Sequence, residues 1–255
     1  MTLQVDIQGK GRPLVLLHGW SLHSGVFDAI VPALSKDFEL HLVDLPGHGH
    51  NAAEEMPPTI EQAAERILDS VPERAHWLGW SIGGTAAMAA AIAAPERIER
   101  MVTVAATPRF VAADDWPHAI PKDTLEGMAA DLATDFEKTV KNFLSLQVHG
   151  DEHARDMLRD LRQRLYAHGR PGETSLANGL DILHDSDLRE AVKGIEAPWL
   201  SIMGSRDRLA SPQVGDWLER NVPNCSNLTI HKAAHAPFLS HADEFLRAVT
   251  DFLGS

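Results

Sequence analysis

A single cysteine, Cys225, stands among 255 residues. No intramolecular disulfide can form, so a disulfide scaffold is excluded and a reducing compartment fits. Long apolar runs are also missing. The longest, Ala86 to Ala94, has nine mostly small residues, whereas a helix needs about 20 to cross a bilayer. The first twenty residues, MTLQVDIQGKGRPLVLLHGW, hold no charged leader followed by a long apolar stretch and a cleavage site. The expectation is a cytoplasmic protein with no membrane partner. Positive charge is scarce as well: 23 Lys and Arg face 36 Asp and Glu, a formal net charge of -13. Long-range repulsion therefore opposes nucleic acid as a partner. The chain lacks a Cys/His cluster with ligand spacing, an H-E-x-x-H, a phosphate loop and a dinucleotide fingerprint, so no metal and no cofactor are expected. Gly47-His48-Gly49-His50 follows Asp44-Leu45-Pro46 and reads as a tight turn without further ligands.

Apolar content is ample, at 44%, enough for one sizeable core. Short apolar runs at Leu14 to Leu17, Glu39 to Val43, His76 to Gly79, Met101 to Ala105 and Trp199 to Met203 each end in turn signals and read as buried strands. Helical patterns lie between them, including Ile60 to Val71 and the Ala-rich stretch after Ser81. This alternation predicts an α/β fold with a mostly parallel sheet flanked by helices. It stops after Thr107-Pro108 and resumes near Ala197-Pro198. The expected organisation is a core of residues 1–107 and 197–255 with a helical lid at 108–196. Helical spacing covers Lys122 to Leu132, Asp135 to Val148, Glu152 to His168 and Ser175 to Leu183, with Thr134, Asp151 and Thr174 as N-terminal caps. A helical subdomain with no role at the site is the alternative.

In parallel sheets chemistry gathers at the carboxyl ends of the strands. There, Gly79-Trp80-Ser81-Ile82-Gly83 matches G-x-S-x-G between an apolar strand and a small-residue helix, the context of a nucleophile elbow. Ser81 is thus the candidate nucleophile, against a helix cap in a glycine turn. A serine hydroxyl needs a base and a group to orient that base. With the order serine, acid, histidine, the base is sought late in the chain. His235, in a small-residue loop before a helical segment, is favoured; His231 and His241 remain alternatives. Asp207 follows the strand at Trp199 to Met203 and is the candidate acid, against a surface ion pair with Arg206 or Arg208. Asp44 precedes the nucleophile and reads as structural, and His18 as a brace for its loop. The oxyanion donors are expected to be the backbone N–H groups of Trp20 and Ile82.

These segments resemble the α/β-hydrolase family and, within it, a subgroup of carboxylesterases of biotin biosynthesis. The resemblance spans nearly the whole chain. It rests on LVLLHGWSLH at 14–23, LHLVDLPGHG at 40–49, WLGWSIGG at 77–84, PERIERMVTVAATPRF at 95–110, NFLSLQ at 142–147 and KAAHAPFLSH at 232–241, with DDWP at 114–117 and NGLDIL at 178–183 more selective. It implies hydrolysis of the methyl ester of a pimeloyl chain borne by an acyl carrier protein, releasing methanol. It also implies a Ser81, Asp207 and His235 triad, with Trp20, Ser81, Ile82 and His235 at the substrate and Phe143, Leu144, Ser145, Leu146 and Gln147 lining the acyl channel. An acidic carrier needs a basic landing surface. Residues 138–170 hold seven Lys and Arg against four Asp and Glu. Arg155, Arg159 and Arg162 share a helix face, so docking is expected at Lys138, Lys141, Arg155 and Arg159. The alternative is a solvated face tied by Glu152, Asp156 and Asp160. The subgroup tends towards Arg where Lys138 and Asn142 stand here. A monomeric serine carboxylesterase is the leading expectation; the others are a general short-chain esterase and a non-catalytic ligand-binding module.

Overall fold

The computed structural model describes residues 2–254. Seven strands form one sheet: β1 (Val5–Gly9), β2 (Arg12–Leu17), β3 (Phe38–Val43), β4 (Ala75–Trp80), β5 (Ile98–Val104), β6 (Trp199–Gly204) and β7 (Cys225–Ile230). Their order is β1-β3-β2-β4-β5-β6-β7. Only β1 runs antiparallel, against β3. Every residue of β4 and β6 is buried, which explains their largely apolar sequences: central parallel strands are covered on both faces. Among the buried polar groups, Trp199 Nε1 donates to Thr103 Oγ1 at 2.8 Å between adjacent strands.

The helices are α1 (Val31–Leu34), α2 (Ile60–Leu68), α3 (Ile82–Ala93), α4 (Lys122–Thr134), α5 (Phe136–Val148), α6 (Ala154–Arg164), α7 (Glu173–Asp185), α8 (Pro212–Asn221), α9 (Pro237–Ser240) and α10 (Ala242–Gly254). The central helix α3 packs on β4, β5 and α2, and α8 packs on β6 and β7. No helix among the described residues is long and apolar enough to cross a membrane. Between β5 and β6 the chain leaves the sheet and builds α4 to α7. The two stems of this excursion are stapled together: Leu188 N donates to Pro108 O at 2.9 Å, and Asp187 pairs with both Arg109 and Arg189.

Several local expectations need correction. Strand β1 has no apolar run, because it is an edge strand whose Ile7 faces solvent. Helix α2 ends at Leu68, and α6 spans fewer residues than its periodicity implied. Thr134 is not a cap but the last residue of α4, its hydroxyl bonded back to Ala130 and Asp131 carbonyls. Asp135 caps α5 instead, accepting from Lys138 N at 3.0 Å. Thr174 lies inside α7, after Gly172. Asp151 is not the cap of α6 either: His153 holds that position without a side-chain bond, and Asp151 accepts from His153 N in the turn before the helix, its second oxygen being used elsewhere.

The loops after β2 and β3 are tied by His18, whose buried ring donates from Nδ1 to Gly19 O and accepts Leu45 N–H at Nε2, both at 2.8 Å. Burial pushes the His18 imidazole down to about 3 and that of His48 down to about 4. Both rings stay neutral when folded, whereas the unfolded chain takes up their protons near pH 6.5. Their contribution is therefore complete above pH 6.5 and is lost as pH falls towards 4, at up to about 1.4 kcal/mol per pH unit for each ring. Denaturant unfolding at pH 7 and pH 5 should show a loss of at least about 2 kcal/mol at the lower pH; equal stabilities would contradict it.

Candidate active site

The carboxyl end of β4 turns directly into α3 at Ser81. The turn is tight. A methyl group added at Gly79 would lie 2.4 Å from Gly83 O, and one at Gly83 would lie 2.4 Å from Leu17 O, so only glycine lets these backbones close. Ser81 itself has φ 57° and ψ -124°, a left-handed conformation costly for any residue with a Cβ and frequent at functional sites. Its N–H donates to Val104 O at 2.9 Å, which locks the turn to the neighbouring strand.

Two loops from the far side of the sheet meet it. Asp207 follows β6 and His235 follows β7. His235 Nδ1 lies 2.8 Å from Asp207 Oδ2, and His235 Nε2 lies 2.9 Å from Ser81 Oγ. The other Asp207 oxygen accepts from Leu209 N at 2.8 Å and Ala210 N at 3.1 Å, so the carboxylate has one orientation. Because a carboxylate can only accept, Nδ1 carries the proton and Nε2 presents its lone pair to the hydroxyl. Ser81 and His235 are almost wholly buried. Neither Arg206 nor Arg208 forms an ion pair with Asp207 among the described residues; Arg206 donates to Gly150 O instead. His241 pairs with Glu152, away from Ser81.

Ile82 directly follows Ser81, and Trp20 lies in the loop after β2. Ile82 is the first residue of α3, so its N–H has no acceptor within the helix. The Trp20 indole donates to Leu176 O at 2.9 Å and meets Phe143 edge-on at 4.9 Å, which places it between its own loop and helices α5 and α7. Of the five expected lining residues, Phe143, Leu144 and Gln147 are buried, while Ser145 is half-buried and Leu146 is exposed. The helical period splits the run, leaving Ser145 and Leu146 the more exposed of the five. Gln147 is fully buried, yet neither atom of its amide has a hydrogen-bond partner.

The expected docking residues lie on the outer surface. Arg155, Arg159 and Arg162 line an open groove of about 390 Å³ with Leu158 and Gln163. Arg159 pairs with Asp156, whereas Arg155 and Arg162 have no ion-pair partner among the described residues. Asp160 pairs with Arg164, and Glu152 with Lys232. On α5, Lys138 and Lys141 are exposed, and Lys141 pairs with Glu137.

Among the described residues, two clusters have metal-ligating side chains close together: His23, Asp44 and His168, and Glu152, His153 and His241. In the first, the ring nitrogens of His23 already bond Arg164 O and Gly25 N, and Asp44 accepts from Ser24 N, His50 N and His50 Nδ1. Asp44 thus organises its loop, and the turn at Gly47 to His50 wraps around it.

Strain at Ser81 has a measurable consequence. Ser81→Ala and Ser81→Gly both lack the hydroxyl, but only glycine relaxes the backbone. Ser81→Gly should be the more stable of the two by about 1 kcal/mol in denaturant unfolding, and equal or reversed stabilities would contradict the strain.

A model of the alpha/beta hydrolase fold matches residues 12–242. The pimeloyl-[acyl-carrier protein] methyl ester esterase of Stenotrophomonas maltophilia strain K279a is 44% identical over 99% of this chain and 97% of its own length. The protein of the same name from Aeromonas hydrophila is 40% identical over all of both chains. Among solved structures, a hydrolase from Oleispira antarctica superposes with a TM-score of 0.88 at 22% identity, covering 99% of this chain and 95% of that one; this likeness speaks to the fold. The chain belongs to the alpha/beta hydrolase family and, within it, to the family of the pimeloyl-[acyl-carrier protein] methyl ester esterases.

Proposed function

We propose that this esterase hydrolyses the methyl ester of a pimeloyl chain carried by acyl carrier protein, with Ser81 as nucleophile, His235 as general base and Asp207 as its orienting acid. The observation that carries the catalytic roles is the unbroken hydrogen-bond chain from Ser81 Oγ through His235 to Asp207, and the likeness to the named esterases supports the substrate. His235 Nε2 takes the hydroxyl proton as Ser81 Oγ attacks the ester carbonyl, and Asp207 stabilises the imidazolium without itself being protonated. The N–H groups of Trp20 and Ile82 receive the oxyanion; one such donor is worth about 2.7–4 kcal/mol of barrier in a studied protease. Collapse of the intermediate breaks the bond to methoxide, which leaves as methanol with the proton from His235. Water then gives its proton to His235 and attacks the acyl-enzyme, releasing the carboxylic acid and restoring Ser81.

Helices α4 to α7 serve as the lid in this reading. Phe143 and Leu144 offer apolar surface to a methylene chain, and Gln147 offers a buried amide whose missing hydrogen bonds a polar substrate group satisfies. Because Ser81 is buried, substrate entry requires these helices to shift. Arg155 and Arg159, with Lys138 and Lys141, receive the acidic carrier.

Turnover of the carrier-bound pimeloyl methyl ester beside a free short-chain ester tests this. Ser81→Ala and His235→Ala should each lower both activities by about 10⁴-fold or more, with the fold intact by circular dichroism. Arg155→Glu with Arg159→Glu should raise KM about tenfold for the carrier-bound ester alone. Substantial hydrolysis by either alanine variant removes that residue's role. Equal losses on both esters in the charge-reversed protein remove the docking surface and leave a general short-chain esterase.

A further inference from the structure

Between β7 and α9 the loop at 231–236, which carries His235, has no regular structure, so its backbone groups find partners outside it. Lys232 N donates to Ser205 Oγ at 2.8 Å. Ala234 N donates to Asp151 Oδ2 at 2.8 Å, and His235 N to Gln147 O at 3.1 Å. On the acceptor side, Ala233 O takes Arg206 N at 2.9 Å, and His235 O takes Trp80 Nε1 at 2.7 Å. The two partners of the donors nearest the imidazole, Asp151 and Gln147, both come from the excursion between β5 and β6. The Asp151 carboxylate is 7% exposed as a residue, and its other oxygen is fixed by His153 N at 2.8 Å. The same turn is held from the acid's side, where Arg206 Nη1 donates to Gly150 O at 2.9 Å.

We propose that Asp151 is a positioning residue for the reaction: its carboxylate fixes the backbone of the loop bearing His235, and makes the α5–α6 turn part of the catalytic frame. The inference rests on the reading of His235 as the base. An imidazole has only two side-chain torsions with which to correct a displaced backbone, and the Ser81 and Asp207 contacts on its opposite edges must both be met. A misplacement of about 1 Å can cost about 100-fold in rate.

Two substitutions separate this role from simple stabilisation of the turn before α6. Asp151→Ser keeps a short oxygen for His153 N but withdraws the acceptor from Ala234 N, whereas the single amide oxygen of Asp151→Asn can accept from Ala234 N with its NH2 group left facing His153 N, so each variant keeps one of the two bonds. With a small free ester, Asp151→Ser should lower kcat about 10- to 100-fold, with KM within about threefold because substrate contacts are untouched. The downfield proton resonance of His235 Nδ1 should weaken or vanish. Asp151→Asn should recover most of both. A kcat close to that of the parent in Asp151→Ser, or a loss shared equally by both variants with the resonance unchanged, overturns the proposal. In the unaltered protein, amide hydrogen exchange at Ala234 and His235 should be as slow as in β6; fast exchange there overturns it even if Asp151→Ser does not fold. Should His235→Ala itself stay active, the failure belongs to the assignment of the base; if it is inactive while Asp151→Ser matches the parent, only the present inference fails.

Discussion

The 2.9 Å contact between His235 Nε2 and Ser81 Oγ joins residues 154 positions apart, and the rest of the site exists to hold it. Neither side chain can be placed by local sequence preference alone. Ser81 is presented by a strained strand-to-helix turn whose glycines allow backbones to touch. His235 is presented by an irregular loop pinned from the sheet, from Trp80 and from the inserted helices. Asp207 then selects the tautomer, with its second oxygen anchored by two backbone N–H groups.

The polar interior follows the same economy of paired groups. Buried polar atoms cost free energy unless bonded, and His18, Asp44, Thr103 and Asp151 all have partners. Burial opposes ionisation of Asp44, but the His18 ring, at the low pH where it is itself protonated, and the N–H groups of Ser24 and His50 outweigh it and hold its carboxyl well below the usual carboxylate range. The amide of Gln147 is an exception that it shares with the buried polar atoms of Ser21, His76, Trp77 and Ser201, and burial pushes the Cys225 thiol up to about 12.

Much of this was legible in the amino-acid order, for physical reasons. Central strands covered on both faces carry short apolar runs, so the buried stretches of β2 to β6 announce themselves. The elbow needs small residues at fixed spacing, so Ser81 does too, and chain order then narrows the acid and base to Asp207 and His235. Edge strand β1 escaped because half-exposed pairing leaves no apolar run. Helix α5 separated Ser145 and Leu146 from Phe143, Leu144 and Gln147, since a continuous sequence segment cannot stay on one face of a helix. The clamps on His235 were invisible: a backbone carbonyl at Gln147 carries no sequence signature, and Asp151 reads from its neighbours only as a helix cap.

The central claim is that Ser81 is the reactive group, and covalent labelling tests it most directly. Treated with a fluorophosphonate, the folded protein should gain one adduct, located on Ser81 by peptide mass spectrometry, and lose hydrolysis in proportion. Full labelling that leaves turnover intact, or inactivation with the adduct on another residue, would contradict the account.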